Sequence, residues 1–462
     1  MSDMKAITLS QAAQAVGGTL VGGGEDIVIR KVATDSRKDV EGALFVAISG
    51  DRFDGHNYAA QTLENGALAC LIEREMDLPG PYILVDSTLR AIRDLARYYR
   101  QLFSIPFIGL TGSVGKTGTK EMIAAVLAEK YCVHKTEGNL NNEIGVPMTL
   151  FALREYHQVA VMEMGISDFG EMSRLTDMVR PDIAIITIIG SAHLDNLGNR
   201  AGVLKAKTEI FKGLAPQGLA LVNGDDDLLA PFDITSLTPD NSKAEKRLYG
   251  LGAENDYRVA DIVNQGEAGI ACTLILGDER FPVLIPAFGR HMVYTALAAA
   301  VVGHRLGLTP DEITRGIAAF KNVGKRAEFS KTASLTIIDD SYNANPDSVK
   351  AALTSLRELP GRQVAILGDM GELGEDAAAL HYQVGQHAAK NGIHCLIAVG
   401  EMSRNTAQGA KDENPSLKVW HFPEKEEAKI ALPTILEKDD QVLVKASRFM
   451  RFEELVTALK TI

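Results

Sequence analysis

The chain has 462 residues, 46% hydrophobic and 23% charged, which excludes a fibre, a disulfide-stapled mini-protein and a largely disordered chain. At roughly 150 residues per domain the length predicts about three domains. Lys plus Arg number 48 against 60 Asp plus Glu, net charge −12, so the chain is expected to be a poor general nucleic-acid binder and any anionic ligand needs a local cluster of basic and N–H groups.

Residues 1–85 read as a small mixed α/β domain, with strand-like runs at 43–48, 66–72 and 82–85 and a helical stretch at 58–65. The first ten residues lack the apolar core of a signal peptide. Residues 87–103 predict an amphipathic helix through the spacing of Leu89, Ile92, Leu95, Ala96 and Tyr99, and this helix opens a central domain taken as 86–323. Buried strands at 107–110, 159–162, 183–188 and 219–222 alternate with helical stretches, the grammar of a parallel sheet covered on both faces. Residues 226–285 are more polar and read as an antiparallel extension of that sheet. The apolar helical run 294–302 is far shorter than the roughly 20 residues of a membrane span. From about Gly324 the pattern restarts, with buried strands at 335–338, 363–367, 394–399 and 441–444, which predicts a Rossmann-like domain over 324–462. Cys70, Cys132, Cys272 and Cys395 form no C-x-x-C pair, so neither a disulfide framework nor a zinc site is expected, and a reduced, cytoplasmic setting fits.

The strongest local signal is the run from Phe107 to Thr117, where a strand enters a glycine-rich turn and then a helix over 120–130. Gly112, Ser113, Val114 and Gly115 can bring backbone N–H groups up to phosphate oxygens, and the helix N-terminus adds partial positive charge. Lys116 supplies a mobile full charge, and the Thr117 hydroxyl can ligate Mg²⁺. Strict phosphate-loop spacing would place glycine where Leu110 stands, so this is a variant loop.

Further polar groups follow the other strands. Glu163 ends the second strand and could complete a Mg²⁺ shell begun by Thr117, or serve only as a structural strand end. His193 follows the third strand and could bind metal or pack. Lys205, Lys207 and Glu209 have the spacing of a solvated helix face. In the last third, the runs 339–346, 367–374 and 444–448 each follow a strand, which predicts one shared binding edge.

Taken in order, these motifs resemble the Mur ligases, ATP-dependent amide-forming enzymes of peptidoglycan synthesis. The matching runs are Thr34–Arg37, Leu44–Ala47, Asp54–His56, Thr111–Thr117, Asn139–Gly145, Glu163–Gly165, Ala192–Leu194, Ala206–Lys207, Asp339–Pro346, Leu367–Gly374 and Leu443–Arg448. The runs at 339–346 and 367–374 select a member that would join D-Ala-D-Ala to UDP-MurNAc-tripeptide through an acyl phosphate. Those two are the small-molecule partners it implies, with neither nucleic acid nor membrane, for a monomer.

The resemblance also implies roles. Lys207 matches a lysine carbamylated in the family, and with His193 it would hold a second Mg²⁺. Thr117 and Glu163 would hold the first, so Lys116, Glu163, His193 and Lys207 form the implied catalytic set. Arg326 and Asp340 match nucleotide-contacting positions. Ser36 and Arg37 match the UDP-sugar site. Asn139 and Asn142 lie in a segment facing the phosphate and peptide ends of the substrates. Tyr342, Asn343, Asn345, Lys445 and Arg448 belong to the C-terminal runs and are taken as substrate-binding.

The family's Gly-x-His-Asn-x-x-Asn pattern reads Gly289-Arg-His291-Met292-Val-Tyr-Thr295 here. Thr295 thus replaces an asparagine that tends to contact adenine, and it can offer one hydrogen bond. Competing readings are a ligase of the same fold with another substrate, a phosphate-loop phosphotransferase or NTPase, and a non-catalytic nucleotide-binding scaffold.

Overall fold

A computed structural model describes residues 4–50, 53–238, 243–322, 324 and 326–462. The expected boundary at residue 323 lies outside these described residues. Among them the strands form four sheets, and the mixed α/β architecture expected from the sequence is the one observed.

The first is a two-stranded ribbon of Ile7–Thr8 and Val28–Ile29. Next comes a five-stranded sheet in the order Thr19–Val21, Tyr82–Leu84, Ala69–Ile72, Leu44–Val46, Val32–Ala33, parallel except at its first pair. Helix Leu9–Val16 precedes it and carries a capping box between Thr8 and Gln11, a T-x-x-Q signal that the sequence reading passed over. Helix Thr88–Gln101 then crosses to the central domain. Its apolar stripe of Ala91, Ile92, Leu95, Ala96 and Tyr99 is buried in one core with Leu44 and Leu71 on one side and Phe107 and Leu150 on the other. Tyr99 fixes that crossing, since its hydroxyl donates to the Leu153 carbonyl (2.9 Å) and accepts from the Lys5 N–H (2.8 Å).

The central sheet has nine strands. Its parallel part places Phe107–Thr111 between Val159–Glu163 and Ile183–Ile186, with Leu219–Asn223 beyond. The region 226–285 corrects the expectation in part. Glu245–Gly250 runs parallel to Leu219–Asn223, and the start of Tyr257–Asn264 runs parallel to Glu245–Gly250. Only Ile270–Leu276 and Glu279–Ile285 add antiparallel partners. Helix Met292–Arg305 covers this sheet and packs on helix Lys116–Leu127. It is apolar nearly all round because nearly all of it is buried.

The C-terminal sheet has the order Glu328–Lys331, Leu335–Asp339, Asp440–Lys445, Gln363–Gly368, Cys395–Val399, Lys418–Phe422. Its four buried strands are those expected, and all adjacent pairs but the first are parallel. The two edge strands escaped the sequence reading because they are short and partly exposed, without a continuous apolar run. The last strand inserts between the first two expected ones, which brings the three polar runs side by side at one sheet edge.

Candidate functional site

The phosphate loop leaves the central sheet at Thr111 and enters helix Lys116–Leu127, four residues earlier than the spacing indicated. Gly112 has φ +151°, and a Cβ on it would lie 1.9 Å from Thr187 Oγ1, so no other residue fits. That hydroxyl donates to the Val114 carbonyl at 2.5 Å. The Ser113 N–H donates to the Ile188 carbonyl, and the Ser113 hydroxyl accepts from the Gly190 N–H, both at 2.9 Å. Residues 187–190, expected to prolong a strand as far as 188, thus brace the loop. Gly115 (φ +84°) begins the helix without a side-chain cap, which leaves first-turn N–H groups for an anion. Lys116 curls over the loop and donates to the Gly112 carbonyl at 2.8 Å. Enclosure lowers its pKa and nearby Arg326 adds to the fall, against the opposing pull of Glu163 and Glu372.

Glu163 is buried at the end of its strand. Its Oε1 accepts from Asn141 Nδ2 at 2.9 Å and from the Thr117 hydroxyl at 3.4 Å. Its Oε2 has no hydrogen-bond partner, although Lys120 Nζ stands 3.8 Å away. Lys120 is itself fully buried and donates to the Thr136 carbonyl at 2.6 Å. Neither Asn141 nor Lys120 was singled out from the sequence. Asn141 sat in plain view between the two asparagines that were, whereas nothing local marks Lys120 as buried.

Lys207 lies on helix Arg200–Thr208 with no exposed surface, and its Nζ has no hydrogen-bond partner. The solvated helix face that its spacing suggests is therefore wrong at this position. Burial drives its pKa well below the ordinary lysine value, repulsion from Lys116 adds to this, and Glu171 opposes both. His193 sits in left-handed backbone (φ +59°) at the start of the short helix Leu194–Leu197, with Nδ1 2.6 Å from Glu372 Oε2. Among the described residues, no three His, Cys, Asp or Glu side chains form a metal cage by themselves. An open set of oxygen donors beside a phosphate loop nevertheless suits Mg²⁺, which keeps waters and takes phosphate oxygens.

At the edge of the C-terminal sheet, Lys445 Nζ donates to Asp340 Oδ2 (2.6 Å) and to the Asn343 carbonyl (3.0 Å). The guanidinium of Arg326 lies 4.5 Å from the centroid of the Tyr342 ring, and that of Arg448 5.9 Å from it. Several polar residues are spent on local structure. Asn345 Oδ1 caps helix Pro346–Arg357 in a capping box with Ser348. Asn142 Oδ1 accepts from the N–H groups of Ile144 and Gly145. Asp339 binds the N–H and hydroxyl of Ser341, and Asp369 binds those of Ser403. Asn139 and Asn343 are exposed, while Thr295 is buried within helix Met292–Arg305. Ser36 and Arg37 lie on the N-terminal domain, where Arg37 grips Asp35 (2.8 and 3.0 Å) and holds its carboxyl down at about 2.

The chain matches the models of the Mur ligase family catalytic domain over residues 28–100, the Mur ligase middle domain over 110–303 and the Mur ligase glutamate ligase domain over 325–448. It is 40% identical to the UDP-N-acetylmuramoyl-tripeptide–D-alanyl-D-alanine ligase of Bacillus subtilis, across 98% of each chain. Its fold matches the crystal structure of MurF from Acinetobacter baumannii with a TM-score of 0.92, at 32% identity and full coverage of both chains. It matches the MurF ligase of Thermotoga maritima in complex with ADP with a TM-score of 0.84, at 28% identity, over 93% of this chain and 97% of that one.

Proposed function

The chain belongs to the Mur ligase family, and from that premise we propose that it is an ATP-dependent ligase joining D-alanyl-D-alanine to UDP-N-acetylmuramoyl-tripeptide. The observation that carries this reading is the end-to-end likeness to a ligase of that name, with the polar edge of the C-terminal sheet facing a phosphate loop. In the division of labour proposed, residues 1–85 take the UDP-sugar, 86–323 take ATP and metal, and 324–462 take the nucleotide and the dipeptide.

The terminal carboxylate of the tripeptide attacks the γ-phosphate of ATP, giving an acyl phosphate and ADP. The amine of the dipeptide then attacks the acyl carbon, and the tetrahedral intermediate expels phosphate as the nitrogen loses a proton. A carboxylate is a poor electrophile near neutral pH, so this activation is what ATP provides. Lys116 offsets the charge where two anions meet. Arg326 and Tyr342 form a stacked cation–ring surface for the nucleotide. Lys445 holds Asp340 in place beside that surface, and Arg448, whose exposed guanidinium also pairs with Glu453 at 3.1 Å, would meet an anionic substrate group. Ser36 and Arg37 would bind the UDP-sugar, and Asn139, Asn142, Asn343 and Asn345 would line the path of the peptides. An acyl phosphate hydrolyses in water, so the C-terminal domain, which meets residues 191–194 through Asp347 and Glu372, would serve to keep water out.

The buried Glu163, with Oε2 unpartnered and Oε1 3.4 Å from the Thr117 hydroxyl, fits a Mg²⁺ site. Lys207 Nζ, buried without a partner and with its pKa pushed down by that burial, fits carbamylation, since an unprotonated amine adds to CO₂ and releases a proton to give an anionic oxygen donor. Thr117 and Glu163 would hold one ion, and His193 with carbamylated Lys207 a second; such ions supply charge neutralisation between phosphate and carboxylate. Replacement Lys207→Ala is expected to abolish ligation, read by mass spectrometry of the UDP-linked product, and bicarbonate should not restore it. Partial rescue by short carboxylic acids supports the carbamate; wild-type activity in the variant contradicts it.

A further inference from the structure

The loop that carries His193 is gripped by the C-terminal domain. The Ser191 N–H donates to Asp347 Oδ2 at 2.6 Å, and the Leu194 N–H donates to the Glu372 carbonyl at 3.1 Å. Glu372 thus meets the loop twice, once through its backbone and once through its carboxylate on His193 Nδ1. Both partners stand in left-handed backbone, His193 at φ +59° and Glu372 at φ +61°. Such backbone costs a non-glycine residue on the order of 1 kcal/mol, and it persists where the surroundings impose it. The surroundings do so here. Gly371, just before Glu372, donates its N–H to Ser447 Oγ at 2.9 Å, and the Met370 N–H is held by His381 Nε2 at 3.0 Å. The Glu372 carboxylate also faces Lys116 closely enough for each to influence the other's charge.

A carboxylate only accepts hydrogen bonds, so His193 Nδ1 carries the proton of this contact. In the neutral ring Nε2 is then left as a lone-pair donor. Metal-binding histidines are held in this way, with the far nitrogen donated to a carboxylate that fixes tautomer and ring orientation. We propose that Glu372 is a positioning residue for the metal site, supplied by the C-terminal domain to a ligand on the central domain. Metal affinity at His193 then depends on the Glu372 carboxylate that reaches it from the C-terminal domain. This rests on the reading of His193 as a Mg²⁺ ligand. It goes beyond that reading by making an interdomain contact set the affinity.

Mn²⁺ with ADP, added to the full chain, serves as the spectroscopic probe. Electron spin-echo measurements should show a directly bound nitrogen in the wild type and none in His193→Ala. In Glu372→Ala the nitrogen signal should fade and the Mn²⁺ dissociation constant rise by about 10- to 100-fold. Glu372→Gln, whose amide oxygen can still accept from Nδ1–H, should recover most of the signal, and it keeps the test intact if the alanine variant folds poorly. Asp347→Ala removes a docking contact that does not touch His193 and should keep the signal. A nitrogen signal and affinity unchanged in Glu372→Ala overturn the proposal. Equal losses in Asp347→Ala and Glu372→Ala overturn it as well, because docking alone would then account for them. A nitrogen signal that survives His193→Ala removes the premise instead, so the two failures are distinguishable.

Discussion

At the edge of the central sheet, Thr111 Oγ1, Glu163 Oε2 and Lys207 Nζ are buried without hydrogen-bond partners. At the edge of the C-terminal sheet, Asp339, Asn345, Asp369 and Lys445 all have theirs. An unmade buried hydrogen bond costs roughly 1–3 kcal/mol. The first edge therefore carries unmade interactions that the proposed ligands would complete, whereas the second is satisfied within the chain. The difference separates two kinds of polar residue that look alike in sequence. Those on the central edge should be replaceable with loss of activity but little loss of stability, and those on the C-terminal edge the reverse.

The largest effect is expected at Lys207. Lys207→Met should lower ligation by about 10³-fold or more, the scale of several kcal/mol of lost charge stabilisation. Its melting temperature should stay level or rise, because an unpartnered amine is exchanged for an apolar chain of similar length. Lys445→Met breaks a largely buried pair and leaves Asp340 alone, so urea titration should show a loss of about 3 kcal/mol. If the two variants exchange these behaviours, the comparison fails.

Lys207 also predicts a pH dependence. Its pKa is lowered in the folded state, so the unfolded chain binds the extra proton. Stability lost to that burial should be regained as pH rises toward the unfolded lysine value of about 10.4, by at most about 1.4 kcal/mol per pH unit. In CO₂-free buffer the wild type should therefore gain on Lys207→Met between neutral and alkaline pH, and a constant gap would contradict a lysine pKa lowered by burial. Asp369→Ala removes the carboxylate at the start of helix Ser403–Glu413 and should cost about 1 kcal/mol in the same titration. The smallest effect is expected at Thr295→Val, where loss of one possible hydrogen bond should raise the KM for ATP about threefold. A rise above tenfold would make Thr295 a principal nucleotide contact.

The sequence made the phosphate loop, Glu163 and the three strand-end runs legible because each is a local pattern after a buried strand. Burial of Lys207 was not legible, since its spacing fits a solvated helix face and only tertiary packing closes over it. The pair of His193 and Glu372 was hidden for a related reason, as it joins two domains across distant stretches of chain. At Asn345 and Asn142 a structural role went unread, since Asn345 Oδ1 caps a helix and Asn142 Oδ1 accepts from the N–H groups of Ile144 and Gly145. The Asn345-Pro-Asp-Ser348 spacing carried that message, but the density of polar residues around it drew the reading toward substrate.

The central claim is that ATP consumption at this loop is tied to amide formation. Steady-state phosphate release with ATP, Mg²⁺ and UDP-MurNAc-tripeptide, with and without D-Ala-D-Ala, tests it most directly. The account predicts sustained release only when both substrates are present, matched by an equal amount of ligated product, and at most a single turnover without the dipeptide. Sustained release at the same rate in the absence of either substrate would contradict it.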